Sequence, residues 1–352
     1  MELHSIFSLA AAAAFFFAAL GWYMQISRRE TSDAPFYLRD TFLPFFSLSF
    51  LLAVPLWLLN RDNADFLFPL PWFKLPLPFI AAALIYLGGS LRPNLWRQPL
   101  LIAVLAAAAV IIGAYPLTPL PGYPAWLNQA ILAGILFVSS YAFKYFNGID
   151  GIAAVITQPI LWGIFFLAWI GAVPLFYGWL ALGMALILLA FLAYNWYPAQ
   201  ISVRTSGWQA VGFILGWLAL QSAAEGSGPC LIIFAMLPLT ELTVALLKRL
   251  TFLKDYRNLL VNTFYFQTNI SGLSPADICR GLLRIEVLLV ILGCFELYAP
   301  NAYSLPILCF IITLWFLNRL LNWQTPVQSL REINREVIED IKKTFNKDDK
   351  QP

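Results

Sequence analysis

The residue in this chain best placed to do chemistry is a carboxylate flanked by glycines at the end of an apolar stretch. Asp150 stands in Lys144-Tyr145-Phe146-Asn147-Gly148-Ile149-Asp150-Gly151 and is the only Asp or Glu between Asp65 and Glu225. Charge placed near membrane depth is costly and therefore informative. The two glycines permit a tight turn and close approach of backbone to a ligand. The alternative reading is structural, with Asp150 capping a helix that starts near Ile152.

Two further polar segments follow. Tyr194-Asn195-Trp196-Tyr197-Pro198-Ala199-Gln200-Ile201 carries amides that could hydrogen-bond a polar ligand at the membrane surface, or equally a helix stop with interfacial aromatics. Pro238-Leu239-Thr240-Glu241 is followed by Lys248 and Arg249 and then by a polar loop reaching Gly272-Leu273-Ser274. Glu241 precedes Lys248 by seven residues, two helical turns on one face. It reads either as a partner for a neighbouring helix or as part of a polar site.

The elements that must position these segments are membrane helices. Of 352 residues, 60% are hydrophobic and only 12% charged, about half the charged fraction of a soluble domain. So much apolar surface excludes a disordered chain. Cys230, Cys279, Cys294 and Cys309 lie mostly in apolar stretches and read as small buried hydrophobes, not as a disulfide scaffold. A net charge of +3, spread over short loops and a tail, gives no argument for nucleic acid.

A span needs roughly 20 mainly apolar residues. Eleven such stretches occur, near 4–26, 41–60, 75–90, 98–115, 126–144, 151–171, 174–195, 207–224, 229–247, 282–299 and 303–321. The expected architecture is an all-α integral membrane protein with about eleven transmembrane helices, amino terminus outside and carboxyl terminus cytoplasmic. In that topology only Arg61 and Lys74 of the 22 basic residues face outward, as the positive-inside rule requires. The first stretch reads as a retained helix, because its basic residues Arg28 and Arg29 follow the apolar run. Residues 1–321 form the multi-span membrane domain and 322–352 a cytoplasmic tail. In the tail, Val327, Leu330, Ile333, Val337, Ile338, Ile341 and Phe345 recur at the spacing of an amphipathic helix. The side to which the basic residues sort puts Asp150, the Asn195 segment and the Glu241 segment together on the cytoplasmic face.

In this order the three segments resemble the polyprenyl-phosphate N-acetylhexosamine-1-phosphate transferase family, glycosyl transferase family 4. Asn147-Gly148-Ile149-Asp150-Gly151-Ile152-Ala153-Ala154 is similar to that family's Asp-Gly-Ile/Leu-Asp-Gly-Leu-Ala-Ala motif, and Asn195 to Ile201 to its Asn-x-x-Pro-Ala-Lys/Gln-Val/Ile run. Pro238 to Arg249 resembles its Pro-x-x-Asp helix, with Glu241 in place of Asp. The resemblance implies a multi-pass protein of the bacterial inner membrane that moves a sugar-1-phosphate from a UDP-sugar to a polyprenyl phosphate with Mg²⁺. It implies Asp150 and Asn147 at catalytic positions, and Lys144, Asn195, Gln200, Arg204, Glu241, Lys248 and Arg249 around substrate.

The departures fall on the catalytic positions. Gly88-Gly89-Ser90-Leu91-Arg92-Pro93 stands where the family has an Asp-Asp pair, and the Gly-Asp-x-Gly-Ser loop is Arg204-Thr205-Ser206-Gly207-Trp208. Two family asparagines correspond to Tyr141 and Lys144, and the histidine motif to Thr263-Phe264-Tyr265-Phe266. The chain's one histidine is His4. Magnesium prefers carboxylates, phosphates and water, so with one retained acid no metal ligand set is evident. The expectation is a degenerate homologue without a cofactor, binding polyprenyl phosphate or a lipid-linked sugar, or partnering an active homologue in envelope polysaccharide assembly. The alternatives are a divergent Mg²⁺ enzyme using Asp150 with Asp255 or Asp277, and a lipid-linked-sugar transporter. The last ranks below the others because neither a chain of intramembrane acids nor a broken-helix pair is evident.

Overall fold

The computed structural model describes residues 76–91, 97–113, 117–146, 148–252, 263–298 and 304–322. The first two apolar stretches, His4, Asn147, Asp255 and the amphipathic tail lie outside the described residues. Within them the elements are helical. In chain order they are α1 (Pro76–Leu91), α2 (Arg97–Gly113), α3 (Ala125–Ala142), α4 (Ile152–Trp169), α5 (Leu175–Asn195), α6 (Thr205–Ser222), α7 (Gly228–Phe234), α8 (Met236–Phe252), α9 (Phe264–Ile270), α10 (Pro275–Phe295) and α11 (Ser304–Leu321).

Each apolar stretch expected from residue 75 onward is occupied by helix. Four of these helices, α3, α4, α5 and α11, are long and apolar enough to cross a membrane, and the bent segment from Thr205 to Leu247 makes a fifth if it is one span. That supports a multi-span helical fold but leaves the count of eleven, and the sidedness, beyond what the described residues show. Helix α10 has the length of a span, but Asp277, Arg280, Arg284 and Glu286 dilute its apolarity.

The bent segment corrects the expectation that the chain lacks a broken helix. α6 passes through a wide turn at Ala223–Ser227, where Gly226 adopts φ +94°, into α7, and α8 departs after Ala235 at 59° to what precedes it. Pro238 has no amide to donate to the Phe234 carbonyl four residues back, which removes one bond that would hold the two helices in line.

Small residues let the helices approach closely. Gly212 and Gly216 of α6 lie against Ser139 of α3; a Cβ at Gly216 would sit 2.0 Å from the Ser139 hydroxyl. Phe234 fills the space between α4 and α10, with Gly163 and Gly293 each leaving room that a Cβ, 2.6 Å from its ring, would take. α4 packs most extensively on α5 and α10, while α6 is gripped by α1 and α3. α4 and α5 are therefore enclosed by protein, whereas α11 keeps Ile307, Ile311 and Trp315 exposed along one side. Cys230, Cys279 and Cys309 are buried, Cys294 is half-buried, and all four are free thiols.

Candidate functional site

The turn carrying Asp150 is built on Gly151, whose φ of +78° lies in the left-handed region that favours glycine. Gly151 is the residue preceding the first turn of α4, and no side chain caps that helix. The reading of Asp150 as a helix cap is thus corrected. Its carboxylate reaches across to the second segment, where the Ala199 amide donates to Oδ2 at 3.1 Å.

Asn195 completes the clasp. Its Oδ1 accepts from the Gly151 amide at 3.0 Å and its Nδ2 donates to the Ile201 carbonyl at 2.7 Å. One buried amide side chain thereby ties the Asp150 turn to both ends of the loop that follows α5. The Gln200 amide donates back to the Tyr194 carbonyl at 2.9 Å, closing that loop on itself. Its side chain is exposed. From a third direction the Cys279 thiol donates to the Asp150 carbonyl at 3.4 Å. Burial, then the charge of Asp150, push that thiol up to about 12, so it remains a thiol at neutral pH.

Glu241 is a structural partner. It is 1% exposed, and its two oxygens accept from the backbone amides of Phe264 at 3.0 Å and Tyr265 at 3.4 Å, at the start of α9. An N-terminal helix turn presents unsatisfied amides and a partial positive charge, which a carboxylate satisfies. The Tyr265 hydroxyl in turn donates to the Tyr145 carbonyl, and its ring packs 6.3 Å from Phe146. Burial and then the charge of Glu241 push this phenol well above its ordinary value, so it stays a donor. The Thr263–Phe266 stretch thus docks the third segment onto the chain just before Asp150.

Lys144 lies with its ammonium 5.4 Å from the ring centre of Tyr141 and 5.9 Å from that of Tyr145, a cation–π arrangement. Arg204 is the residue before α6, and its carbonyl accepts from Gly207 and Trp208. The Arg204–Trp208 stretch is accordingly the opening turn of a helix, with Trp208 stacked on Phe143 at 6.4 Å and edge-to-face with Phe191 at 5.7 Å. Lys248 and Arg249 fall in the backbone of α8, while their side chains lie outside the described residues.

The Gly88–Gly89 stretch closes on the same place. A Cβ at Gly89 would stand 2.5 Å from both the Gln98 amide nitrogen and Ser206 Cβ. Gln98 donates to Gln209 Oε1 on α6, and the Ser140 hydroxyl donates to the Gln209 carbonyl at 2.8 Å. Where the resemblance would place two acids, there is a glycine against a glutamine pair. Among the described residues no three His, Cys, Asp or Glu side chains come together as a metal ligand set. Asp277, the second acid considered with Asp150, is engaged at the start of α10 by the Ser274 hydroxyl at 2.6 Å and by Arg280 at 2.7 Å.

Two acids escaped the sequence reading. Glu286 is fully buried in the middle of α10, and among the described residues neither of its oxygens has a hydrogen-bond partner. Glu296, at the end of the same helix, is buried with one oxygen unpartnered. A charge interrupting Leu282–Val290 was the available signal.

Residues 71–223 match the family model described as glycosyl transferase family 4. The phospho-N-acetylmuramoyl-pentapeptide-transferase of Moorella thermoacetica is 32% identical over 157 residues, which is 40% of this chain and 45% of that protein. The enzyme of the same name from Prochlorococcus marinus is 24% identical over 176 residues, 47% of this chain and 48% of its own length. The matched stretches span about half the length of these relatives. The matched region holds the Asp150 turn, the Asn195 clasp and the Gly89–Gln98–Gln209 contact, and with its apolar helices it marks a multi-pass membrane protein. Over residues 71–223, less than half of its length, this chain is similar to glycosyl transferase family 4.

Proposed function

We propose that this chain is a catalytically degenerate homologue of the UDP-N-acetylhexosamine:polyprenyl-phosphate sugar-1-phosphate transferases. It retains the fold and a cytoplasmic lipid-phosphate face, and serves envelope polysaccharide assembly in the bacterial inner membrane by binding a polyprenyl phosphate or by partnering an active homologue. The observation that carries this reading is the closed packing at Gly89. Transferring a phosphoryl group between two anionic substrates calls for a divalent cation to screen them, and a cation of that kind is held by carboxylates. At Gly89 there is no room for a carboxylate-bearing side chain without displacing Gln98 or Ser206. Both oxygens of Glu241 and one of Asp150 are engaged by backbone amides of the scaffold. Among the described residues no set of carboxylates is gathered that would suit Mg²⁺.

Lys144, held by two tyrosines, and Arg204, at the mouth of α6, supply positive charge on the same face and suit a lipid phosphate. The test is a UMP-release assay on the purified chain with UDP-GlcNAc, polyprenyl phosphate and Mg²⁺. No release, together with retention of the protein by polyprenyl-phosphate vesicles, is expected; UMP release would overturn the reading.

A second reading is a divergent active transferase centred on Asp150. It is favoured by the half-buried carboxylate keeping Oδ1 without a hydrogen-bond partner among the described residues. In that case Asp150→Asn abolishes whatever activity is found, and an active variant rejects it.

A further inference from the structure

A fully buried carboxylate with no partner is costly, and among the described residues Glu286 is one. Residues 279, 286 and 293 of α10 are spaced by seven, which keeps them on one face to within roughly 20° per step. At one end of that face the Cys279 thiol touches the Asp150 carbonyl; at the other, Gly293 lies against Phe234. Glu286 stands midway, roughly 10 Å from each level at 1.5 Å per residue.

The same interval is bounded by α4 and by the α7–α8 break. α4 starts beside Asp150 and reaches Phe234 at Gly163, so its residues level with Glu286 run from Val155 to Pro159. Pro159 has no amide hydrogen, which leaves the Val155 carbonyl without its helical donor. α7 meets α10 at Gly293, where a Cβ would lie 3.1 Å from the Cys230 carbonyl oxygen. Glu241, farther along α8, belongs to the Asp150 end through α9. The segment α7–α8 therefore runs antiparallel to α10, and its break at Ala235 falls within roughly one turn of Glu286. There Pro238 leaves the Phe234 carbonyl without its donor.

At one depth, then, three helices bring an unpartnered carboxylate and two carbonyls released by prolines. In secondary transporters, backbone carbonyls released at helix breaks coordinate Na⁺. We infer that Glu286, with the Val155 and Phe234 carbonyls, forms a Na⁺ site inside the helix bundle. The bound ion neutralises the one carboxylate and supplies the positive partner that α4 and α7 do not carry, neither having a basic residue. This site is separate from the Asp150 face and does not rest on the proposed function.

The experiment follows thermal unfolding of the full chain in detergent at mildly alkaline pH, with NaCl replacing choline chloride at constant ionic strength. Binding to the folded state alone raises the midpoint with ion concentration. A rise in the wild type that is absent in Glu286→Gln and weakened in Pro159→Ala, which restores an amide to Val155, is expected. A wild-type midpoint indifferent to the exchange of ions would overturn the proposal even if Glu286→Gln fails to fold. An undiminished Na⁺ response in a folded Glu286→Gln protein would overturn it equally.

Discussion

Replacing Asn195 with alanine isolates the clasp that holds the Asp150 turn. The side chain makes two hydrogen bonds, from Gly151 and to Ile201, at 3.0 and 2.7 Å, and both backbone groups belong to buried residues. Truncation to a methyl leaves a buried donor and a buried acceptor unsatisfied, at about 1–3 kcal/mol each. Some relaxation toward water is open to the Ile201 end, whose neighbour Gln200 is exposed, so the combined cost is set at roughly 2–4 kcal/mol. Because the Asp150 turn and the Asn195 loop share this residue, they open together. At about 1.4 kcal/mol per tenfold, amide exchange through that opening accelerates by at least about thirty-fold.

The assay is hydrogen exchange read by mass spectrometry on the full chain in detergent, comparing peptides over residues 148–155 and 195–203 with a peptide inside α3. Both loop peptides are expected to accelerate in Asn195→Ala while the α3 peptide holds its rate. Asn195→Asp retains the acceptor for Gly151 but sets an oxygen against the Ile201 carbonyl, so the 195–203 peptide responds more than the 148–155 peptide. If only one loop accelerates in Asn195→Ala, the two are not coupled through this side chain. If neither does, the clasp contributes nothing and the reasoning fails.

Gly89→Asp places a Cβ 2.5 Å from Gln98 and Ser206 and is expected to destabilise by about 1–3 kcal/mol through overpacking, without conferring Mg²⁺-dependent UMP release; a stable variant whose midpoint rises with Mg²⁺ contradicts the closed-site reading. Glu241→Gln exchanges one charge-assisted acceptor for an amide facing a backbone N–H, costing about 1.5–3 kcal/mol, and limited proteolysis between 263 and 272 is expected to quicken while cleavage elsewhere does not. Cys279, at about 12 in place of its ordinary 9.0, carries roughly a thousandfold less thiolate at neutral pH. Its proton is held more tightly in the folded state, so the stabilising contribution is intact below pH 9.0 and is lost as pH climbs toward 12. Iodoacetamide at neutral pH should therefore leave Cys279 unmodified until the protein unfolds, and rapid labelling of the native protein would show the site to be open.

What the sequence disclosed and what it withheld divide along sequence distance. Helix positions such as 174–195 were legible because apolarity is continuous over a span, and α5 occupies Leu175–Asn195. The three polar segments were legible as a group through their order. The role of Asp150 was not, because its partner Ala199 lies 49 residues away and a local cap was the only bond that neighbouring residues offered. Glu241 had the same ambiguity, settled by amides 23 and 24 residues on. Glu286 was lost to averaging: a window rich in leucine and valine absorbs one acid, and only burial on all sides reveals it. The break at Ala235 was equally hidden in composition, although Pro238 marked where a backbone bond had to be missing.

Phe234 has a consequence for assembly. Its ring is seated between Gly163 and Gly293, glycines separated by the whole α5–α9 sequence. During synthesis, α4 enters the bilayer long before residue 293 has left the ribosome. One wall of the seat is therefore in place while the other does not yet exist, and a large aromatic must wait unpacked in the lipid. The middle of the bundle closes only when α10 arrives, making the last third of the chain a checkpoint for the first. A chain truncated before Gly293 would insert its helices and still fail to lock them.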